Sequence, residues 1–150
     1  MTERRLFRAA VYAILKKEGK ILLLRRYNTG WSDGLYTLPS GHVDDESASD
    51  AVLREAFEEA GVRIKPENSR FVHVAQHESD IPYMDFYFEI DSWEGEPHSM
   101  EPDRCDDMRW VEISKLDDYP IIENVRDALR LIDNGDPISW YVYAEKDADK

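Results

Sequence analysis

Three glutamates, Glu55, Glu58 and Glu59, recur at i, i+3 and i+4 within the run ASDAVLREAFEEAG. On an α-helix, which advances about 100° per residue, they fall on one arc. Like charges at these spacings cost a helix roughly 0.2–0.5 kcal/mol per pair. Nothing gained by the fold explains keeping three of them. A hard divalent cation does, because Mg²⁺ takes oxygen ligands in an octahedron, usually a few carboxylates with water and substrate phosphate. Arg54 precedes Glu58 by four residues, within reach to pair with it and fix its rotamer. The plain alternative is a solvated acidic face with an ordinary ion pair, and EAFEE alone favours that alternative, because short motifs recur by chance.

The helix that would position these groups spans residues 47–60, with Gly61 as its C-terminal stop. Val52, Leu53, Ala56, Phe57 and Ala60 fall on a second arc that would face the core. Upstream, residues 6–15 and 21–26 (ILLLRR) read as a β-hairpin turning at Gly19. A loop rich in turn formers, 28–34 (NTGWSDG), leads to a short extended piece at 35–38, ended by Pro39. Downstream, 71–75, 83–90 and 108–113 read as strands, with a polar loop at 91–106 and a helical turn at 114–119. Residues 121–132 carry apolar positions at helical spacing and are closed by Gly135 and Pro137, and 138–143 reads as a last strand or packed tail. Strands with two interspersed helices predict an α/β (α+β) fold, a mixed sheet with helices on its faces, in a single domain over 1–150.

Bulk properties narrow the function. Thirty-two acids against 19 bases give a net charge of −13, which repels phosphate backbones and argues against a duplex nucleic-acid partner. The same excess suits a cation-dependent enzyme, since bound metal ions reverse the local field. One cysteine, Cys105, excludes an internal disulfide and a multi-cysteine metal site. The apolar run 9–15 is too short to span a membrane and is followed by Lys16 and Lys17. No membrane partner and a cytoplasmic location are therefore expected.

The stretch 38–62, LPSGHVDDESASDAVLREAFEEAGV, resembles the signature of the Nudix hydrolase family: Gly, five residues, Glu, seven residues, Arg-Glu, an aliphatic position, any residue, Glu-Glu, any residue, Gly, aliphatic. Arg54, Glu55, Ala56, Glu58, Glu59, Gly61 and Val62 fill its second half in register, and Glu46 lies seven residues before Arg54. The first half departs from it, with four residues between Gly41 and Glu46 where the family has five. Counting from Ser40 restores the spacing but puts serine at the glycine position. The Gly41 register is preferred, because Pro39-Ser40-Gly41-His42-Val43 resembles the usual approach to the box.

The resemblance implies an α/β/α sandwich and Mg²⁺-dependent cleavage of a nucleoside diphosphate linked to another moiety, with Mn²⁺ as a substitute ion. It implies Glu55, Glu58, Glu59 and the Ser40 carbonyl as metal ligands, and catalytic roles for Glu58, Glu55 and Arg54. The strand ending in Arg25 and Arg26 resembles the family strand whose arginines reach substrate, where a guanidinium can clamp phosphate bidentately. Trp93-Glu94-Gly95-Glu96-Pro97 followed by Glu101 resembles the MutT-type loop in which a glutamate serves as general base. These features favour a nucleoside triphosphate, ordinary or modified, releasing a monophosphate. ADP-ribose or nucleotide sugars form the competing substrate class, and a non-catalytic nucleotide-binding module the competing role. Many members of the family pair as homodimers, so that assembly is also implied.

Outside these motifs, His42, His73, His77 and His98 lack metal-site spacing. Trp31, Tyr36, Tyr83 and Phe86 could stack on a base but read first as core or strand residues. Asn124 stands at the start of the last helix, in a position to meet a base edge.

Overall fold

The structure is a computed structural model that describes residues 2–142, with side chains through Trp140. Among the described residues an eight-stranded mixed sheet lies between two helices. Strands β1 (Arg8–Lys17) and β2 (Lys20–Arg26) form the expected hairpin, with Glu18 and Gly19 at positive φ in its turn. Then come β3 (Tyr36–Thr37), β4 (Ser40–His42), helix α1 (Ala48–Ala60), β5 (Ser69–Glu78), β6 (Tyr83–Ile90) and β7 (Cys105–Glu112). Helix α2 (Glu123–Asp133) and β8 (Ile138–Val142) complete the order. Tyr143, the last residue of the expected final segment, lies outside the described residues.

The sheet runs β3-β2-β1-β6-β5-β8, with β4 added to β1 and β7 to β2. Strand β1 pairs in parallel with β6 along Arg8–Leu15. Its other edge is shared: Ala10–Tyr12 pair with β4, whereas only Lys16 and Lys17 pair with β2. Strands β2 and β4 therefore diverge from a common neighbour, and the sheet forks. This fork makes the cleft described below.

The continuous apolar runs of β1 and β2 follow from burial on both faces. Val11, Ala13, Leu15, Leu22 and Leu24 pack towards α1 in one core, while Ile14, Ile21 and Leu23 pack towards α2 in another. Helix α1 starts where its sequence signals place it. The Ser47 side chain accepts from the Asp50 N–H at 3.0 Å, and Gly61 closes the helix at φ 70°, where a side chain is disfavoured.

Several expected boundaries shift. Strand β5 reaches beyond 71–75 at both ends because it pairs with β6 on one side and β8 on the other. Strand β7 begins at Cys105 rather than 108, because it pairs with β2 up to Arg26. Helix α2 starts at Glu123, not 121, because the Ile122 N–H donates to the Tyr36 carbonyl at 3.0 Å and holds that residue out of the helix. Strand β4 was not foreseen. On α1 the fully buried residues are Ala51, Val52, Ala56 and Ala60. Phe57, expected in the core, is only partly buried and carries the Arg63 guanidinium over its ring at 4.5 Å. Among the described residues no helix is long and apolar enough to cross a membrane.

Candidate active site

The fork in the sheet and the exposed flank of α1 enclose a cleft of about 340 Å³. Glu55, Glu58 and Glu59 line it from α1, and Arg25 and Arg26 line it from β2. Ser40 contributes from β4 and Glu101 from the loop before β7. Every residue singled out in the sequence for metal or phosphate chemistry thus reaches one cavity or, in the case of Arg54, bonds directly to residues that line it. The cleft also has walls that the sequence did not advertise: Leu24, Thr29, Thr37, Arg104 and Cys105.

Gly41 decides which register of the box the chain uses. A Cβ at this position would lie 2.1 Å from the Glu55 carboxyl carbon, so a side chain here would push the carboxylate out of its place. Gly41 sits in β4 opposite Val11, so the bare Cα is what lets Glu55 lie against the strand. The register counted from Gly41 is the one with a structural reason.

Arg54 organises the acids. Its Nε and Nη2 donate to Glu46 at 3.0 and 2.6 Å, its Nη1 to Glu55 at 2.9 Å and to Glu58 at 3.2 Å, and Nη2 also meets the His42 carbonyl at 3.1 Å. The expected pairing with Glu58 is present, but Glu46 holds the guanidinium most closely. That bond lowers the Glu46 pKa and raises the already high pKa of Arg54. Glu46, the loosest match in the shortened loop, is therefore the anchor of the arginine. Being one residue short does not detach it.

Glu59 is the odd carboxylate. Its Oε1 accepts from the Ser40 N–H at 2.8 Å, and it takes no bond from Arg54. Burial pushes its pKa up to about 8, opposed by the Ser40 bond and by the charge of Arg26, and reinforced by Glu55 and Glu101. Burial also raises the Glu55 carboxyl, partly relieved by Arg54. Two acids in one cavity thus resist ionisation, chiefly because they are buried.

Among the described residues no three acidic, histidine or cysteine side chains converge as a ready metal cage. The three-carboxylate platform expected from the helical wheel is not preformed, because Arg54 draws Glu55 and Glu58 while Glu59 turns to Ser40. The donors nevertheless fit a hard divalent cation. They are all oxygen, they face one cavity, and the raised pKa of Glu55 and Glu59 marks carboxylates that an added positive charge would relieve.

Strand neighbours normally face opposite sides of a sheet. Between Arg25 and Arg26 the register of β2 against β7 slips, and both side chains line the cleft. They are held differently. Arg25 Nε donates to Asp106 Oδ1 at 2.7 Å, an ion pair that commits it to the acid. Arg26 Nε donates to the Trp31 carbonyl at 2.7 Å and Nη2 to Thr29 Oγ1 at 2.8 Å.

Glu101 reaches the cleft through a docked loop. The His98 and Met100 N–H groups donate to the Ala60 and Glu59 carbonyls at 3.0 and 3.2 Å, stitching the loop to the end of α1. The Glu101 carbonyl then accepts from Arg104 and Cys105 at 2.8 and 2.9 Å. Trp93 stacks on Trp110 at 6.0 Å, fixing the start of the same loop.

The remaining candidates lie elsewhere. Tyr36 and Phe86 are packing residues of the two cores, and Trp31 is 53% exposed beside the cleft. Asn124 is buried at the start of α2 and lines a separate cavity between α2 and the β5–β8 edge, not the carboxylate cleft. His73 bonds the Asp136 carbonyl and Ser139, and His77 bonds Asp85. His42 meets Tyr83, and His98 lies over Gly61.

Known proteins share this arrangement of elements. The Phosphatase NudJ of Escherichia coli K12 is 28% identical over 110 residues, covering 71% of this chain and 69% of the relative. The crystal structure of a MutT NUDIX hydrolase from Burkholderia pseudomallei superposes with a TM-score of 0.76 at 28% identity, covering 84% of this chain and 98% of the other. The NUDIX domain of Shewanella oneidensis NrtR, complexed with ADP ribose, has the same fold at a TM-score of 0.66 and 21% identity, covering 88% and 86%. The model of the NUDIX domain matches residues 5–132, and with the carboxylate cleft built from that span, the chain belongs to the Nudix family and is a hydrolase of phosphoric anhydrides.

Proposed function

We propose that this protein is a Mg²⁺-dependent pyrophosphohydrolase that cleaves nucleoside triphosphates, ordinary or modified, to a nucleoside monophosphate and a second phosphorylated product. The observation that carries this reading is the meeting of Glu55, Glu58, Glu59, Glu101, Arg25 and Arg26 in one cleft, although they come from three separated segments. Glu55, Glu58 and Glu59, with the Ser40 carbonyl, would hold the ion, and Mn²⁺ would substitute. When bound, the ion neutralises phosphate oxygens and makes water more acidic.

The chain's own groups supply the rest. Arg26 and Arg104 bind phosphate oxygens, with Arg25 held back by Asp106 until substrate competes for it. This fixes the diphosphate for in-line attack. Glu101 takes the proton of the attacking water, or Glu58 does so from the helix side. Arg54 positions Glu55 and Glu58, and Glu46 positions Arg54.

Hydrolysis of ADP-ribose or a nucleotide sugar is the competing substrate class, favoured by the ADP ribose bound to the NrtR NUDIX domain on the same fold. A panel of nucleoside triphosphates, nucleotide sugars, ADP-ribose and dinucleoside polyphosphates, assayed with Mg²⁺ and with chelator, separates the classes by the preferred substrate. Glu58→Gln should remove most activity with an unchanged melting temperature. Full activity in that variant, or nucleotide binding without cleavage of any panel member, refutes the catalytic role. Assembly as a homodimer belongs to the same proposal and is tested by light scattering.

A further inference from the structure

We infer that Thr29 and Asp33, in the loop that follows β2, are positioning residues that aim the Arg26 guanidinium into the cleft. The inference rests on the phosphate-binding role proposed for Arg26.

The loop is built around Asp33. Its carboxylate accepts from the Thr29 N–H at 3.1 Å, the Gly30 N–H at 3.0 Å and the Thr29 hydroxyl at 2.5 Å. Asn28, Gly30, Ser32 and Gly34 all lie at positive φ, so the backbone is wound tightly about that acid. A hydroxyl has one proton. Thr29 gives it to Asp33, in the shorter bond and to a charged acceptor, in preference to the Trp31 carbonyl at 2.9 Å. Its lone pairs are then turned outward, and Arg26 Nη2 donates to them at 2.8 Å.

A second tie comes from the same loop. Arg26 Nε donates to the Trp31 carbonyl, and the guanidinium lies 5.0 Å from the centre of the Trp31 ring. Two nitrogens of the fork are thus fixed by the loop, which sets the plane of the guanidinium. Among the described residues no side chain takes the donors of Nη1, which leaves them for a ligand, because a guanidinium carries five N–H groups in a rigid fork. Thr29 itself lines the cleft beside Arg26, Glu55 and Glu59, so the tether ends where the phosphate must lie. Arg25 is tied elsewhere, by its Nε to Asp106 at 2.7 Å and over the Tyr36 ring at 5.8 Å, and not by this loop. The strand offers two arginines, and the loop selects one of them for the substrate.

The test compares Thr29→Val, Thr29→Ser, Asp33→Ala, Arg26→Ala and the double variant Thr29→Val/Arg26→Ala. Each is assayed for affinity to inorganic pyrophosphate with Mg²⁺ by calorimetry, and for KM and kcat with the preferred nucleotide. Thr29→Val and Asp33→Ala should weaken pyrophosphate binding and raise KM by about three- to tenfold with kcat little changed, the net effect of one typical hydrogen bond lost at a partly exposed site. Thr29→Ser, which keeps the hydroxyl, should bind as the parent does. In the Arg26→Ala background, Thr29→Val should have no further effect. If Arg26→Ala weakens binding but Thr29→Val does not, or if the double variant is weaker than Arg26→Ala alone, the positioning role is overturned. If Arg26→Ala itself binds like the parent, the phosphate role of Arg26 falls, and the inference with it. Equal melting temperatures of Thr29→Val and Thr29→Ser separate a loss of aim from a loss of fold.

Discussion

Replacing Glu59 by glutamine should make the metal-free protein more stable at pH 8, and leave its stability almost unchanged at pH 4.5. The carboxyl of Glu59 is raised to about 8 by burial. In the unfolded chain a glutamate titrates near 4.3. Below about pH 4 both states carry the proton, and Glu59 contributes no difference. As pH rises from about 4.5 to 8, the unfolded chain ionises while the folded one holds its proton, so the folded state loses stability across that window. The loss is limited to roughly 4 kcal/mol at pH 8, at about 1.36 kcal/mol per pKa unit. Glutamine keeps an oxygen for the Ser40 N–H, seen at 2.8 Å to Glu59 Oε1, and never ionises. The gap between Glu59→Gln and the parent should therefore grow with pH, to some 8–16 °C in melting temperature at about 2–4 °C per kcal/mol. Scanning calorimetry in chelator from pH 4.5 to 8.5 reads this directly, and adding Mg²⁺ at pH 8 should narrow the gap by stabilising the parent more than the variant, which keeps Glu55 and Glu58 as ligands. A gap that is absent, or constant with pH, would refute the claim that Glu59 is an uncompensated acid.

Other perturbations separate the parts of the cleft. Gly41→Ala puts a carbon 2.1 Å from the Glu55 carboxyl; folding should survive, because the end of a flexible side chain can yield, while kcat falls about 100-fold from the misplaced carboxylate. An alanine variant of normal rate would show that Glu55 can act from elsewhere. Arg54→Lys cannot span Glu46, Glu55 and Glu58 with one ammonium, so urea denaturation should show about 1–3 kcal/mol lost and turnover should drop at least about tenfold. Parent-like behaviour of the lysine variant would reduce Arg54 to a simple counter-charge. Glu101→Gln should lower kcat by about 10²-fold or more with little change in Mg²⁺ affinity by calorimetry, and an unchanged kcat would remove it as the base.

What could be read in the sequence depended on how local the cause was. Helix α1 was legible because its cap, its stop and its acid spacing all lie within Ser47–Gly61. Strand β4 was not, because Ser40–His42 has no strand pattern of its own and is held by three backbone pairings to β1. The start of α2 moved for a similar reason, a bond from Ile122 to a carbonyl 86 residues earlier, at Tyr36. In the site, the acids and the β2 arginines could be found from motif and strand position. Arg104, Thr29 and Thr37 could not, because only the closure of the fork brings them to the same cavity. Glu46 shows the limit of counting. A one-residue gap in the spacing made it the weakest match, while the structure gives it the shortest bond to Arg54.

The charges lining the cleft imply that nucleotide and metal bind as linked ligands. Four carboxylates and three arginines line it. Arg25 is already paired with Asp106, and Arg26 is partly spent on its loop. A polyphosphate entering such a cavity adds several negative charges to an acidic wall in which Glu59 already resists ionisation. The bases present cannot offset that addition, so the substrate must bring or find cations there. By linkage, Mg²⁺ should then tighten nucleotide binding by the same factor that nucleotide tightens Mg²⁺ binding. Titrating a non-hydrolysable triphosphate with and without Mg²⁺, and Mg²⁺ with and without that triphosphate, measures both factors. Coupling of about 1–3 kcal/mol, roughly 5- to 150-fold, is the expected range. In Glu59→Gln the coupling should persist but weaken, because one of the acids that the metal must offset is gone. Nucleotide affinity unaffected by Mg²⁺ would mean that the arginines alone balance the phosphates, and the helix glutamates would then have no part in substrate binding.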